Sequence, residues 1–310
     1  MKKYVILADL TCDLSQEIRD YFGVEDYIPG HIHLHDGRDL PTRLDWELIS
    51  REEFYKALSG KNNKISTAAP NVEEYGRVFR SYVEAGYSVL SMSISSKISS
   101  TYDFSCTAAK QVKEEFPEAE IYCFDSFRMS GGFGLLVAYA HLLKNQGKSM
   151  EEVIAWLEEN KNRVHQMGPI DDLIVVARRG RITMGKAVLG SFAGVKPMGD
   201  CNADGYTTVL TKAKGIKKAL ELTVRYVQET AVDPENSYMI ISHSDRELYG
   251  QTLKTMIEEQ IKPKGVFLSD VFCGSGTNVG AGMIGIYYLG APISPDLSEE
   301  KEIMNRILGK

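Results

Sequence analysis

A short apolar run, Ser88–Ser93, gives way to a helical run that begins at Thr101, through Met92-Ser-Ile-Ser-Ser-Lys-Ile-Ser-Ser-Thr-Tyr102. A buried strand feeding into a helix belongs to layered α/β architectures. Five serines and a threonine sit where one element ends and the next starts. A helix start carries unpaired N–H groups and a partial positive charge. Hydroxyls there form an anion cradle that contains no cation. Upstream, Ser66-Thr67-Ala68-Ala69-Pro70 repeats the pattern, with Pro at the expected first helical position. Two such cradles predict a site for a carboxylate or phosphate.

The rest of the first half alternates in the same way. Strand candidates are Tyr4–Ala8, Tyr27–Leu34, Ser88–Ser93 and Glu120–Phe124. Between them lie helical runs at Leu14–Phe22, Arg51–Leu58, Asn71–Glu84, Thr101–Glu115 and the apolar Gly134–Leu143. Ser149-Met-Glu-Glu152 is a capping box that opens one more helix. Strands separated by helices predict parallel pairing with helices on both faces. Ligands of such sheets bind beyond the carboxyl ends of the strands, where both cradles fall.

The second half reads as α+β. Its strand candidates are Leu173–Val176, Gly194–Met198, Tyr206–Leu210, Tyr238–Ser242, Val266–Val271 and Met283–Leu289. Helices are expected at Ile216–Gln228 and Leu248–Gln260, and a hairpin around Asn202-Ala-Asp-Gly205. The expected division is 1–166 and 167–310.

The charge balance, 36 Lys+Arg against 42 Asp+Glu, leaves no footprint for bulk nucleic-acid binding. No apolar run approaches a membrane span. Met1-Lys-Lys-Tyr-Val-Ile-Leu-Ala reads as a first strand rather than a signal peptide. Cys12, Cys106, Cys123, Cys201 and Cys273 are widely spaced and lack a Cys-x-x-Cys, so the expectation is reduced thiols in a cytoplasmic protein.

Several motifs yield to ordinary structural explanations. Gly147-Lys-Ser149 lacks the earlier P-loop glycine, because Leu142 stands there. Gly274-Ser-Gly-Thr-Asn-Val-Gly-Ala-Gly282 precedes a strand instead of a helix, so a tight loop is expected in place of a dinucleotide fingerprint. His31-Ile-His-Leu-His35 sets imidazoles about 7 Å apart along one strand face; a polar face is the leading reading and a zinc-linked sensor through His31 and His33 the lesser one. Arg178-Arg-Gly-Arg181 and Lys212, Lys214, Lys217 and Lys218 are basic knots, read as exposed charge or as docking for an acidic partner. His243 is the one residue that offers a catalytic base, without a positioned nucleophile. Cys106 reads as a packed thiol.

Taken in order, the residues resemble the DegV family of bacterial fatty-acid-binding proteins, some of which are carrier subunits of fatty acid kinase. Asp9-Leu-Thr11 resembles its opening Asp-Ser-Thr, and Pro29 with Asp36-Gly37 its second-strand region. Thr67-Ala-Ala-Pro70 resembles Thr-Ser-Gln-Pro. Ile94-Ser-Ser-Lys-Ile-Ser-Ser-Thr-Tyr102 is similar to Ile-Ser-Ser-x-Leu-Ser-Gly-Thr-Tyr. Asp125-Ser126, Gly180-Arg-Ile182, Lys196-Pro197 and the lysines from Lys212 follow, so one unit spans about 3–292.

The resemblance implies an N-terminal parallel-sheet α/β/α domain and a C-terminal α+β domain, with an acyl chain in a tunnel between them. It implies a carboxylate held by Thr67 and Ser99, with Ser66, Ser95 and Ser96 as neighbours and Asn278 at the position where the family often has His. Asn donates a hydrogen bond but carries no charge. Ala68, Leu10 and Ser100 also depart from the family pattern, and Lys214 stands where Arg is frequent. No cofactor or metal is implied beyond the bound acid. The carrier does no chemistry; a separate fatty acid kinase subunit phosphorylates its cargo, docking near Arg181 and Lys214, and transient membrane contact is expected. Each buried CH₂ is worth about 0.8 kcal/mol. A tail of about 16 carbons thus offers roughly 10 kcal/mol before ordering costs, so neutral donors suffice for the head. The competing reading is a hydrolase or acyltransferase that uses His243 or a hydroxyl near Ser99.

Overall fold

The computed structural model describes residues 2–59, 65–171, 173–181 and 194–310. Along the first half run β1 (Tyr4–Asp9), α1 (Gln16–Phe22), β2 (Tyr27–Ile28), β3 (His31–His33), β4 (Asp39–Pro41), α2 (Arg51–Leu58), β5 (Ser66–Ala68), α3 (Val72–Glu84), β6 (Ser88–Ser93), α4 (Thr101–Glu115), β7 (Ile121–Asp125), α5 (Ser130–Asn145) and α6 (Met150–Asn160). The remainder comprises β8 (Val164–Met167), α7 (Leu173–Arg178), β9 (Val195–Cys201), β10 (Thr207–Lys214), α8 (Ile216–Thr230), β11 (Tyr238–His243), α9 (Glu247–Gln260), β12 (Gly265–Asp270), α10 (Cys273–Val279), β13 (Ile284–Leu289) and α11 (Ser298–Leu308).

The first sheet has the order β2-β1-β6-β7, and every pairing is parallel. Successive side chains of a strand point to opposite faces. Val5, Leu7, Val89 and Ile121 pack with Tyr75 and Phe79 of α3 and Ala108 and Val112 of α4. Ile6, Ala8, Leu90 and Phe124 face the other way, onto α1, α5 and α6. Both faces are covered, which is why these strands read as continuous apolar runs.

The second sheet, β12-β11-β13-β8, is mixed: β11 runs parallel to β12 and antiparallel to β13, which is antiparallel to β8. Tyr238, Ile240 and Phe267 share a core with α5. Met239, Ile241 and Ile286 pack against α8, α9 and α11. Helix α5 therefore lies between the two sheets and is buried from Ser130 to His141. Its glycines permit this: a Cβ on Gly134 would sit 2.3 Å from the Cys12 carbonyl oxygen. The capping box at Ser149 forms as expected, with Ser149 Oγ accepting from Glu152 N and Glu152 Oε2 from Ser149 N.

Four expectations need correction. Tyr27–Leu34 is two strands, because the chain turns at Pro29-Gly30: β2 joins the first sheet, and β3 joins the antiparallel β4-β3-β5. Ser66–Ala68 is strand β5 rather than a helix start; Asn71, beyond Pro70, caps α3 in a box with Glu74. Leu173–Val176 is helical, within α7. The glycine-rich run is not all loop, since Cys273–Val279 forms α10, which ends at Gly280 with φ 76°. Short apolar or glycine-rich runs fit more than one element, and packing decides between them. Ile182 of the Gly180-Arg-Ile182 turn lies outside the described residues. Among the described residues, no helix is long and apolar enough to cross a membrane.

Candidate functional site

A cavity of about 220 Å³ lies where the carboxyl ends of β1 and β6 meet the second sheet, the β9–β10 hairpin, α7 and α10. A void that holds one water needs about 10–15 Å³ by the same kind of measure, so this space is ligand-sized. Its apolar wall comes from both halves of the chain. Leu10, Ile94, Ile98 and Met129 contribute from the first; Met167, Leu173, Val176, Met198 and Tyr287 contribute from the second.

Four polar residues of the lining matter most for an acid head group. Thr67 is on β5, Ser99 is on the link into α4, Thr101 opens α4, and Asn278 is on α10. Asn278 Nδ2 donates to Thr67 Oγ1 at 3.4 Å. The Ser99 and Thr101 hydroxyls bond each other at 2.6 Å, and Ser99 Oγ also accepts from Thr101 N. One hydroxyl proton is used in the Ser99–Thr101 pair and one amide proton on Thr67. Within these four residues that leaves three donors with no partner among the described residues: the Thr67 O–H, the second proton of the Ser99–Thr101 pair and the second Asn278 N–H. Three donors match the two oxygens of one carboxylate.

Asp9 also borders the cavity and is 2% exposed. Its Oδ1 accepts from Thr11 N and Thr11 Oγ1, and its Oδ2 accepts from Ile94 N at 2.8 Å. Burial pushes the Asp9 carboxyl up, against the pull of those hydrogen bonds. Asp9 thus ties the end of β1 to the chain leaving β6. Behind it, the buried Asp13 accepts from Ser130 Oγ and Phe272 N, and burial pushes its carboxyl up to about 7.

The sequence-predicted residues divide. Thr67, Ser99 and Asn278 line the cavity; Ser66, Ser95 and Ser96 do not. Ser95 is fully buried and its hydroxyl donates to the Gly205 carbonyl in the hairpin turn, so it joins the two halves of the chain. Ser96 meets Asp125 through its backbone N–H, and Ser66 pairs with His33 across β5 and β3. Arg181, expected at a docking surface, is the one cation in the lining among the described residues; it bonds the Arg179 carbonyl, and burial, then Arg179, pulls its guanidinium down. Lys214 ends β10 and is exposed. Asp9 was missed as a site residue, although it ends a parallel strand where ligands of such sheets bind, and Thr101, the threonine of the expected cradle, was not singled out.

His243 lies outside the lining, with Nδ1 3.6 Å from Asp270 Oδ1. Burial pulls its imidazole down in spite of Asp270. It makes no hydrogen bond with Ser99 among the described residues. His31 faces Glu74 and Asp39, and His33 faces Asp39. Among the described residues no group of three or more His, Cys, Asp or Glu side chains is placed to hold a metal.

Comparison with known proteins agrees with this architecture. A family model described as "Uncharacterised protein, DegV family COG1307" matches residues 3–291. A DegV domain-containing protein of Clostridium perfringens is 32% identical over 295 residues, 95% of this chain and 100% of its own. The structure of a DegV family protein from Thermus thermophilus, described by its fatty acid binding, superposes with a TM-score of 0.82 at 26% identity, over 94% of this chain and 100% of that one. The Streptococcus pneumoniae fatty acid kinase (Fak) B3 protein, solved loaded with linoleic acid, shares the fold with a TM-score of 0.78 at 17% identity, over 93% and 99%.

Proposed function

We propose, because this chain belongs to the DegV family, that it binds one long-chain fatty acid and carries it without transforming it. The observation that carries this reading is the cavity: apolar along its walls, with unpaired neutral donors gathered at Thr67, Ser99–Thr101 and Asn278. The tail provides the affinity through burial, and the donors fix the carboxylate and let it go. The fatty acid binding described for the Thermus thermophilus protein supports the same ligand class.

In this reading the carboxyl group is passed to a separate fatty acid kinase subunit, as the Streptococcus pneumoniae neighbour's name suggests. Lys214 is available to that partner on the surface, while Arg181 stands at the cavity wall where the head group would be offered. A cytoplasmic setting and brief membrane contact for loading complete the proposal. So does a division of the chain near residue 166; β8, Val164–Met167, already belongs to the second sheet. A hydrolase built on His243 gains no support, because this residue lies outside the cavity lining and its described polar partners, Asp270 and the Arg246 N–H, include no nucleophile.

The test is a fatty acid titration of delipidated protein. The wild type is expected to bind one equivalent, and Thr67→Val with Ser99→Ala to weaken binding roughly tenfold, about the worth of one lost hydrogen bond to a charged group. Equal affinity in the two proteins removes these hydroxyls from the site.

A further inference from the structure

We propose that the ring of Tyr287, held in place by Gly131 and Gly132, sets the length of the acyl tail that the cavity accepts; this rests on the fatty acid reading above.

Tyr287 lines the cavity and is 4% exposed. Its backbone is fixed in β13, paired with Ile240 of β11 on one side and Gln166 of β8 on the other. Both edges of its ring lie against the first turn of α5. A Cβ on Gly131 would stand 2.5 Å from Cδ2 and 2.7 Å from Cε2; one on Gly132 would stand 3.0 Å from Cδ1 and 3.5 Å from Cε1. The ring therefore rests on bare helix backbone, a position open to it only because both residues lack a side chain. The helix cannot retreat, because Gly134 already abuts the Cys12 carbonyl.

The lining that Tyr287 shares is partly apolar, and the Ser130 hydroxyl beside Tyr287 spends its proton on Asp13. Met129, Met167 and Ile284 are apolar. Gln166 Nε2 donates to Thr207 Oγ1 at 2.8 Å, which uses one of its two N–H groups. The donors of Thr67, the Ser99–Thr101 pair and Asn278 belong to β5, the start of α4 and α10, whereas Tyr287 is held between β11 and β8. In the proposed arrangement a tail that extends from those donors along the lining ends against this ring. Any side chain added on the glycine pair moves the ring into the space of the tail. A smaller residue at 287 opens that space.

The experiment offers the whole protein a mixture of saturated fatty acids of graded length and reads the bound set by native mass spectrometry. Tyr287→Leu is expected to move the bound set to longer acids, gaining up to about fourfold in affinity for each added CH₂ that is buried. Gly132→Ala, the milder of the two glycine changes, is expected to move it to shorter ones. Thermal unfolding of each variant separates a general loss of packing, which weakens all lengths alike, from a change in length preference. Wild type and Tyr287→Leu with the same distribution of lengths overturn the inference whether or not Gly132→Ala folds. A wild type that takes up no acid of any length overturns the fatty acid reading as well.

Discussion

Thr67 and Ser99 differ from Ser95 in what their hydroxyls have left to give. Ser95 is fully buried and spends its donor on the Gly205 carbonyl. Removing it leaves that buried acceptor unpaired, so Ser95→Ala should lower unfolding free energy by about 1–3 kcal/mol in denaturant titration and leave fatty acid affinity unchanged. The double change at Thr67 and Ser99 should do the reverse. His165 makes a different prediction. Its Nδ1 is 2.7 Å from Asp200 Oδ2 and its Nε2 is 2.8 Å from the Ala291 carbonyl oxygen. Both neighbours are acceptors, and only the doubly protonated ring satisfies both. Burial works against that charge; Asp200 and the Ala291 carbonyl outweigh it, and the imidazole is held above its usual 6.5. A raised folded-state value means that this stabilisation is complete below pH 6.5 and is lost as pH rises through the folded value. Melting temperature measured across that window should fall, and His165→Gln should flatten the dependence.

Among the elements, α6 is held at its start by a reciprocal pair of hydrogen bonds, and Ser149→Ala should cost about 1 kcal/mol, read as a lower denaturant midpoint with an unchanged slope. That cap was legible because its signal is local: a hydroxyl, two residues and a glutamate. The parallel sheet was legible for a similar reason, since β1 and β6 are buried on both faces and the spacing between them admits a crossover helix. Helix α4 was also visible, because its hydroxyl-rich start follows closely on a buried strand. What failed depended on partners remote in sequence. Leu173–Val176 is too short for periodicity to separate helix from strand. Nothing local shows that Ser95 will face a hairpin turn while Ser99, four residues on, faces a cavity. Likewise β5 pairs with β3, and that pairing turns an expected helix start into a strand that still delivers Thr67 to the site.

Across the whole molecule, α5 is the shared core of two sheets, and the cavity lies where those sheets and the hairpin meet. Arg128 shows how firmly the parts are joined. It is 1% exposed, and its guanidinium donates to the carbonyls of Val164, Phe127 and Asn202. These bonds connect the end of the first sheet to β8 and to the hairpin. Arg128→Met strands those carbonyls and should destabilise the protein by about 3 kcal/mol, seen as a lower midpoint of unfolding. An occupant of the cavity should act in the opposite sense, because binding only the folded state at about 100 times its dissociation constant adds about 2.7 kcal/mol. The most direct measurement is the mass of the protein isolated without detergent or organic solvent, taken first native and then denatured. The account predicts a native mass larger than the chain by one long-chain fatty acid, which denaturation releases. A native mass equal to that of the bare chain, unchanged after incubation with fatty acid, would contradict it.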